Sequence, residues 1–263
     1  MKRIFLLLLL FLMSFFGCKK KEIEPKWKLA RITEKVNDAT LTLFEFTWSK
    51  NLEGFFFYPE IIGVDPLIRG RFMTTLNYQN NKLHSAEGRN LRNNFGVLKI
   101  SYTYNENGLL TESKSDNVSN EGNITESRDA YFDYHISRNL KSKSFNSYLL
   151  SYEYDLTGNL TKAKLDYDVE SKIYEISFDD NDNPFYGIPL EYVFEATGLW
   201  GFMSLSKKQI TSIKYTEYYN GDIRSSYTIH FNYTYDELGR PTTLKQTFGK
   251  NVNSTKEFSY YYQ

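Results

Sequence analysis

The stretch from Leu150 to Lys164 constrains this chain more than any other: Leu-Ser-Tyr-Glu-Tyr-Asp-Leu-Thr-Gly-Asn-Leu-Thr-Lys-Ala-Lys. Leu150, Tyr152 and Tyr154 alternate with Ser151, Glu153 and Asp155. A period of two puts each set on its own face of a β-strand, one apolar and one polar. Asp155-Leu156-Thr157-Gly158 then supplies turn chemistry. An aspartate bonds backbone N–H groups just downstream, and glycine accepts a positive φ without steric cost. Leu160 begins the return strand. The unit is a hairpin with one apolar face, which it cannot bury alone.

Variations on this unit run along the chain. Asn77 to Leu83 is a contracted copy. Leu98, Ile100, Tyr102 and Tyr104 lead into Asn105-Glu106-Asn107-Gly108. Phe132, Tyr134 and Ile136 give a degenerate copy, with Arg138 where glycine is expected. Tyr174, Ile176 and Phe178 precede Asp179-Asp180-Asn181-Asp182-Asn183-Pro184. Tyr218 to Asp222 reads as a short turn. Tyr227, Ile229, Phe231, Tyr233 and Tyr235 alternate with polar residues before the turn Asp236 to Arg240, and Phe258, Tyr260 and Tyr262 form a last strand. The pre-turn aromatics recur about every 20 to 30 residues, two strands and two turns per unit. The pattern predicts a mainly β fold, a curved antiparallel meander of hairpins. The 22 Tyr and 20 Phe suit strands that bury one face.

Outside the repeat, Leu41 to Trp48 reads as a strand whose even positions are the more apolar. Gly54 to Phe72 holds Phe55, Phe56, Phe57, Tyr58, Ile61 and Ile62 among glycines and prolines that argue against a long helix. It reads as core packing or an irregular connection, in preference to a ligand-binding aromatic loop. Residues 185–210 break the repeat. Leu190, Val193, Phe194 and Thr197 have helical spacing, Gly198 suits a C-cap, and Leu199 to Leu205 is apolar. This segment is expected to be one short helix and loop that cover the open aromatic face.

The hairpins resemble the YD repeat of Rhs-type and teneurin-type proteins, whose core is Tyr-x-Tyr-Asp-x-x-Gly-x-Leu. Tyr152 to Leu160 matches it fully, Tyr233 to Arg240 matches until Pro241 replaces Leu, and Tyr102 to Leu110 has Asn105 for Asp. The chain also resembles small Bacteroidetes-type lipoproteins that carry a few such repeats, in which an Asn-Pro-Phe like Asn183-Pro184-Phe185 follows one copy. The resemblance implies an aromatic-lined curved sheet and no catalytic residues. The copies are too few to enclose a folded domain.

The N-terminus reads as an address. Lys2 and Arg3 precede the apolar run Ile4 to Phe16, then come Gly17, Cys18 and three lysines. A basic start, an apolar core of roughly a dozen residues and a small residue before the break form a secretory signal, too short for a membrane span. Cys18 after Gly17 resembles the lipobox of bacterial lipoproteins, where the thiol receives lipid. That divides the chain into a signal peptide (1–17), a lipidated Cys18 with a charged tether (18–25) and one β-rich domain (26–263). Acyl chains on Cys18 would hold the protein at the cell envelope, on the outer membrane.

Chemistry is sparse. With 32 basic and 32 acidic side chains the net charge is zero, which gives no electrostatic case for nucleic acid. Cys18 is the single cysteine, so no intramolecular disulfide forms. His84, His135 and His230 lack the spacing of a zinc site. Asp179, Asn181 and Asn183 sit in the register of a calcium loop, but Pro184 and Leu190 occupy its glycine and glutamate positions. No metal or other cofactor is expected. Tyr102, Tyr104, Tyr152, Tyr154, Tyr233 and Tyr235 are the candidate binding face, a set of rings suited to sugars or peptides; the preferred reading of the same rings is a buried core face. A membrane-spanning barrel calls for a Leu/Val-rich lipid face with aromatic girdles, whereas tyrosine here runs the length of the strands. The expected function is a non-catalytic envelope module, either structural or binding an envelope protein or glycan partner that the sequence does not name. A hydrolase of envelope polysaccharide, resting on convergent acids, is the alternative.

Overall fold

The computed structural model describes residues 26–36, 38–57, 72–90, 96–145, 147–193, 199–249 and 255–263. The signal, the tether and Cys18 lie outside these residues, as do Tyr58, Ile61, Ile62, Phe194, Thr197 and Gly198. The alternating segments all become strands: β1 (Leu29–Val36), β2 (Ala39–Trp48), β3 (Leu52–Phe57), β4 (Phe72–Gln79), β5 (Lys82–Asn90), β6 (Val97–Tyr104), β7 (Leu110–Val118) and β8 (Ile124–Tyr134). They continue as β9 (Leu140–Phe145), β10 (Tyr148–Tyr154), β11 (Leu160–Asp166), β12 (Glu170–Asp182), β13 (Lys208–Tyr219), β14 (Asp222–Tyr235), β15 (Pro241–Phe248) and β16 (Thr255–Tyr262). Each pairs antiparallel with its sequence neighbours, which is the expected meander.

The sheet is not open. β1 pairs with β16 through Leu29↔Tyr262, Ile32↔Tyr260, Glu34↔Phe258 and Lys35↔Glu257, closing a barrel of sixteen strands. The expected open curved meander is corrected on this point. Closure removes both unpaired edges and wraps the apolar face around a lumen. Alternation in the sequence specifies local hairpins, whereas closure is a pairing of the first strand with the last, which no local pattern encodes.

The two faces differ sharply. Ile176, Ile213 and Ile229 stand opposite one another on β12, β13 and β14, buried and inward. Leu150, Ala163 and Leu244 are likewise buried. Between them the outward positions carry charge. On the outside of β10 to β13, Lys162 bonds Glu153 at 3.1 Å and Lys214 bonds Glu175 at 2.7 Å. On β8 and β9 Lys141 bonds Asp133 at 2.9 Å.

The turns explain the motif. In the β10–β11 turn the Gly158 N–H donates to the Asp155 carbonyl (3.1 Å), and the Asp155 N–H to the Asn159 carbonyl (3.0 Å). Asp155 Oδ1 accepts the N–H of Thr157 (2.9 Å) and of Asn159 (2.8 Å). Asp236 does the same for Leu238 (3.0 Å) and Arg240 (2.9 Å), and Asn105 for Leu109 (3.0 Å). Residue four of the turn needs a positive φ: +74° at Gly108, +88° at Gly158, +73° at Gly239 and +67° at Arg138. Arg138 thus occupies the glycine position without changing the turn.

Residues 183–207 leave β12 and return as β13, carrying two short helices, α1 (Leu190–Val193) and α2 (Leu199–Leu205). The segment packs on aromatic strand residues, Phe202 against Tyr174 at 4.8 Å, but the open face it was expected to cover is corrected to the lumen of a closed barrel. Sixteen-stranded barrels built for transport keep an aqueous channel. Here Phe185, Leu190 and Phe202 are fully buried inside, each such side chain favouring the inserted state by about 1.5–3 kcal/mol. Asn183 ties the two ends of the insertion together. Its Nδ2 donates to the carbonyls of Met203 (2.5 Å) and Ser206 (2.8 Å), and its Oδ1 accepts the Phe185 N–H (3.0 Å).

Candidate functional site

The strands deliver their Tyr-x-Tyr pairs to the end of the barrel where the Asp-type turns lie, with both rings inward. Tyr102 and Tyr152 are buried, and Tyr104, Tyr154 and Tyr233 are partly buried and packed against the core; Tyr235 is half-buried, its ring 6.1 Å from that of Tyr233. The three pairs share the inner face but not one patch of it: they end β6, β10 and β14, four strands apart from pair to pair around the barrel. Their hydroxyls are largely used by the protein. Tyr104 donates to the Leu83 carbonyl (2.7 Å), Tyr235 to Asp179 Oδ2 (3.0 Å) and Tyr102 to the Tyr192 carbonyl (3.3 Å). Tyr262 repeats the Tyr104 pattern with the Pro241 carbonyl (2.9 Å). Burial, with smaller contributions from neighbouring phenols, raises the Tyr102, Tyr104 and Tyr154 hydroxyls well above their ordinary range, so they stay neutral donors.

The inserted segment is clamped to this wall at one point. Glu191 of α1 is fully buried, and its Oε1 accepts the Tyr152 hydroxyl at 2.6 Å. Lys143 of β9, also buried, donates to the Glu191 carbonyl at 2.8 Å and stands 3.8 Å from Oε1. Burial pushes the Glu191 carboxyl above its usual 4.5, opposed by the Lys143 charge and the Tyr152 hydrogen bond. Glu191 Oε2 lies 2.5 Å from where a Cβ on Gly201 would sit, so only glycine lets α2 pass this close. Sequence reasoning missed Glu191 and Lys143, and singled out Asn183 only as part of a calcium-like register and of the Asn-Pro-Phe motif, not as the tie of the insertion. Two signals existed: Glu191 is a lone acid within the apolar run Ile188 to Val193, and Lys143 stands opposite inward Leu150. Enclosed on all sides, the cluster reaches no substrate. Its chemistry is that of a lock.

Beside it the turn end opens into a cavity of about 860 Å³ lined by His135, Asn139, Tyr154, Asp155, Tyr186 and Lys207 among others. The Asp155 carboxylate is occupied by its own turn, including the Thr157 hydroxyl and Asn159 Nδ2. Lys207 donates to the Thr157 carbonyl at 2.8 Å. The calcium-like register is spent on protein contacts too: Asp179 accepts the Asn181 N–H (2.8 Å) and amide (2.8 Å), and Asp182 pairs with Lys26 and Lys208. Among the described residues no group of three or more His, Cys, Asp or Glu is placed to hold a metal.

No protein-family model matches the chain, and no curated protein sequence does. Among solved structures it is similar to a porin-like protein from Bacteroides uniformis, with a TM-score of 0.60 at 16% identity over 90% of this chain and 98% of the other. A porin-like protein from Bacteroides vulgatus aligns at 12% identity over 90% and 99% of the two chains, with a TM-score of 0.45. The first likeness is one of fold: a mainly β chain of this length closed into a barrel.

Proposed function

We propose that this protein is a lipid-anchored, non-catalytic β-barrel of the bacterial cell envelope, held on the outer membrane through Cys18 and presenting its barrel in water as a partner- or ligand-binding module. One observation carries the reading: the polarity of the two barrel faces. Lipid-facing strands are apolar outside, and a lysine or arginine at the bilayer midplane costs about 2–4 kcal/mol. Here Lys162, Lys214, Glu153 and Glu175 form ion pairs on the outer wall. The apolar side faces a lumen filled by Phe185, Leu190 and Phe202. Such a barrel neither sits in lipid nor conducts, so its membrane attachment falls to the N-terminal lipid that the resemblance of Gly17-Cys18 to a lipobox implies. The YD-type repeats supply the hairpin that is multiplied around the wall.

The reading is tested in cells and in bilayers. Cys18→Ala should accumulate as unprocessed precursor and lose incorporation of labelled fatty acid. Normal maturation of that variant would refute the anchor. The purified protein should give no conductance in planar bilayers, and step-like currents would refute the water-facing barrel.

A further inference from the structure

At the end of the barrel opposite the Asp-type turns, tyrosines form a ladder of a different kind. Tyr174 of β12, Tyr215 of β13 and Tyr227 of β14 stand directly opposite one another. Their ring centroids are 5.4 Å and 4.9 Å apart. They line the inner wall, since Tyr174 packs at 4.8 Å on Phe202 of α2 and the next row inward is Ile176, Ile213 and Ile229. The paving continues sideways: Phe145 of β9 stacks on Tyr148 of β10 at 4.4 Å, and Tyr148 meets Tyr167, just beyond β11, at 5.4 Å. Five strands and the turn after β11 thus bring rings to this end of the barrel in two steps: Tyr174 pairs with Ala163, so the Phe145, Tyr148 and Tyr167 rings sit about four residues nearer the rim than the Tyr174 row. The outermost rings are open to solvent, Tyr167 at 40% and Tyr227 at 36%.

A charged row borders the rings. Lys172 stands opposite Glu217 and bonds Glu170 at 2.7 Å, while Arg224 lies 3.8 Å from Glu217. Lys172 also sits 5.7 Å from the Tyr167 ring centre. The Lys172 hydrogen bond holds the Glu170 carboxyl below its usual range, so both are charged at neutral pH. These two acids and two bases offset one another, and Asp168 and Asp222 at the adjoining turns leave the rim without surplus positive charge.

We propose that this rim binds a neutral, polyhydroxylated chain, a glycan lying along these rings. The inference rests on the reading of the protein as a binding module and names the ligand class. The flat C–H faces of sugar rings stack on tyrosines, which offer area at little entropic cost. Hydroxyl groups satisfy both carboxylates and ammonium groups. An anionic polymer calls for surplus positive charge, which this row lacks. A peptide that binds by strand addition needs a free sheet edge, and the closed barrel has none.

Full-length protein in mild detergent is run in native gels containing a soluble β-glucan, a galactomannan or a xylan, with pectin as the acidic comparison. At least one neutral polysaccharide should retard it. Tyr227→Ala and Tyr215→Ala should each weaken retardation about tenfold, Tyr227→Phe should keep it, and Tyr131→Ala, an exposed tyrosine on the outer wall, should leave it unchanged. Retardation by pectin alone, by none, or equally in the Tyr227→Ala protein overturns the proposal. Tyr227 is the most exposed of the three ladder rings, so its variant decides the matter if Tyr215→Ala does not fold. A negative gel leaves the Cys18 processing result intact, and failed processing leaves the gel result intact; the two readings therefore fail separately. Breakdown of the polysaccharide would overturn the non-catalytic reading while keeping the site.

Discussion

The two ends of the barrel use the same residue in opposite ways. At the turn end, tyrosine hydroxyls are structural: Tyr104 and Tyr262 bond backbone carbonyls, Tyr235 bonds Asp179, and Tyr152 holds the buried Glu191. At the far end, Tyr174, Tyr215 and Tyr227 are tiled ring against ring, and the outermost is over a third exposed. The difference follows from where the inserted segment sits. Its polar backbone and Glu191 face the turn-end wall, and buried polar groups must be paired. At the far end α2 offers the apolar Phe202, which asks nothing of a hydroxyl. One end is therefore a lock and the other a surface.

Breaking the lock should have the largest effect. Lys143→Ala leaves Glu191 buried with one donor fewer and no opposing charge, the case in which losing one partner of a buried pair costs about 3–5 kcal/mol. Urea unfolding should show that loss as a lowered midpoint, and a change under 1 kcal/mol would mean that the pair does not fasten the insertion. The hydroxyls then compare the two ends directly. Tyr152→Phe strips the donor 2.6 Å from Glu191 and should cost about 1–3 kcal/mol, the penalty of an unsatisfied buried acceptor. Tyr227→Phe at the exposed end should stay within about 0.5 kcal/mol of the parent. Equal losses would erase the distinction between lock and surface.

This division was only partly legible in the sequence. Strand positions, turn residues and inward parity followed from period two and from Asp155, Gly158, Asp236 and Gly239, because these are local properties of the backbone. The common face of Tyr152, Tyr154, Tyr233 and Tyr235 followed from the same parity. Closure did not, since Ile32↔Tyr260 joins residues from opposite ends of the chain. The clamp did not either: Lys143 and Glu191 are 48 residues apart and acquire meaning only when α1 enters the lumen. The far-end ladder needed the registers Tyr174↔Tyr215 and Tyr215↔Tyr227, the second reached past a bulge between Glu217 and Tyr218 that the alternation does not announce.

The carboxylates extend the comparison to pH. In the turns, burial pulls Asp155 upward but the Asn159 and Thr157 donors prevail, and its carboxyl lies below the usual 3.8. A depressed folded value means stability that is present above 3.8 and lost as pH falls through the folded value. Glu191 is the reverse: its folded value lies above 4.5, so its contribution is fully present below 4.5 and is lost as pH rises through the folded value. Unfolding midpoints measured from pH 3 to 8 should therefore diverge. Asp155→Asn should flatten the acid side, and Glu191→Gln should gain on the parent as pH rises above 4.5, whatever its offset. Parallel curves for parent and Glu191→Gln would remove the buried carboxyl from the account.

The smallest effect tests whether the turn geometry is imposed by the barrel or by its residues. Arg138 holds φ +67° in a turn with the same hydrogen bonds as its glycine counterparts, Arg138 N–H to the His135 carbonyl at 2.8 Å and His135 N–H to the Asn139 carbonyl at 3.0 Å. A side chain in that region costs about 1–2 kcal/mol, while glycine gives back roughly 0.5–1 kcal/mol through its freer unfolded chain. Arg138→Gly should then stabilise by about 0.5 kcal/mol, seen as a raised urea midpoint at constant slope. Gly158→Ala, at φ +88° with the new Cβ 3.0 Å from the flexible Lys207 Nζ, should lose about 1 kcal/mol by the same strain. If Arg138→Gly lowered the midpoint instead, the degenerate repeat would owe its turn to contacts of the arginine side chain rather than to closure pulling β8 and β9 together against the cost of φ.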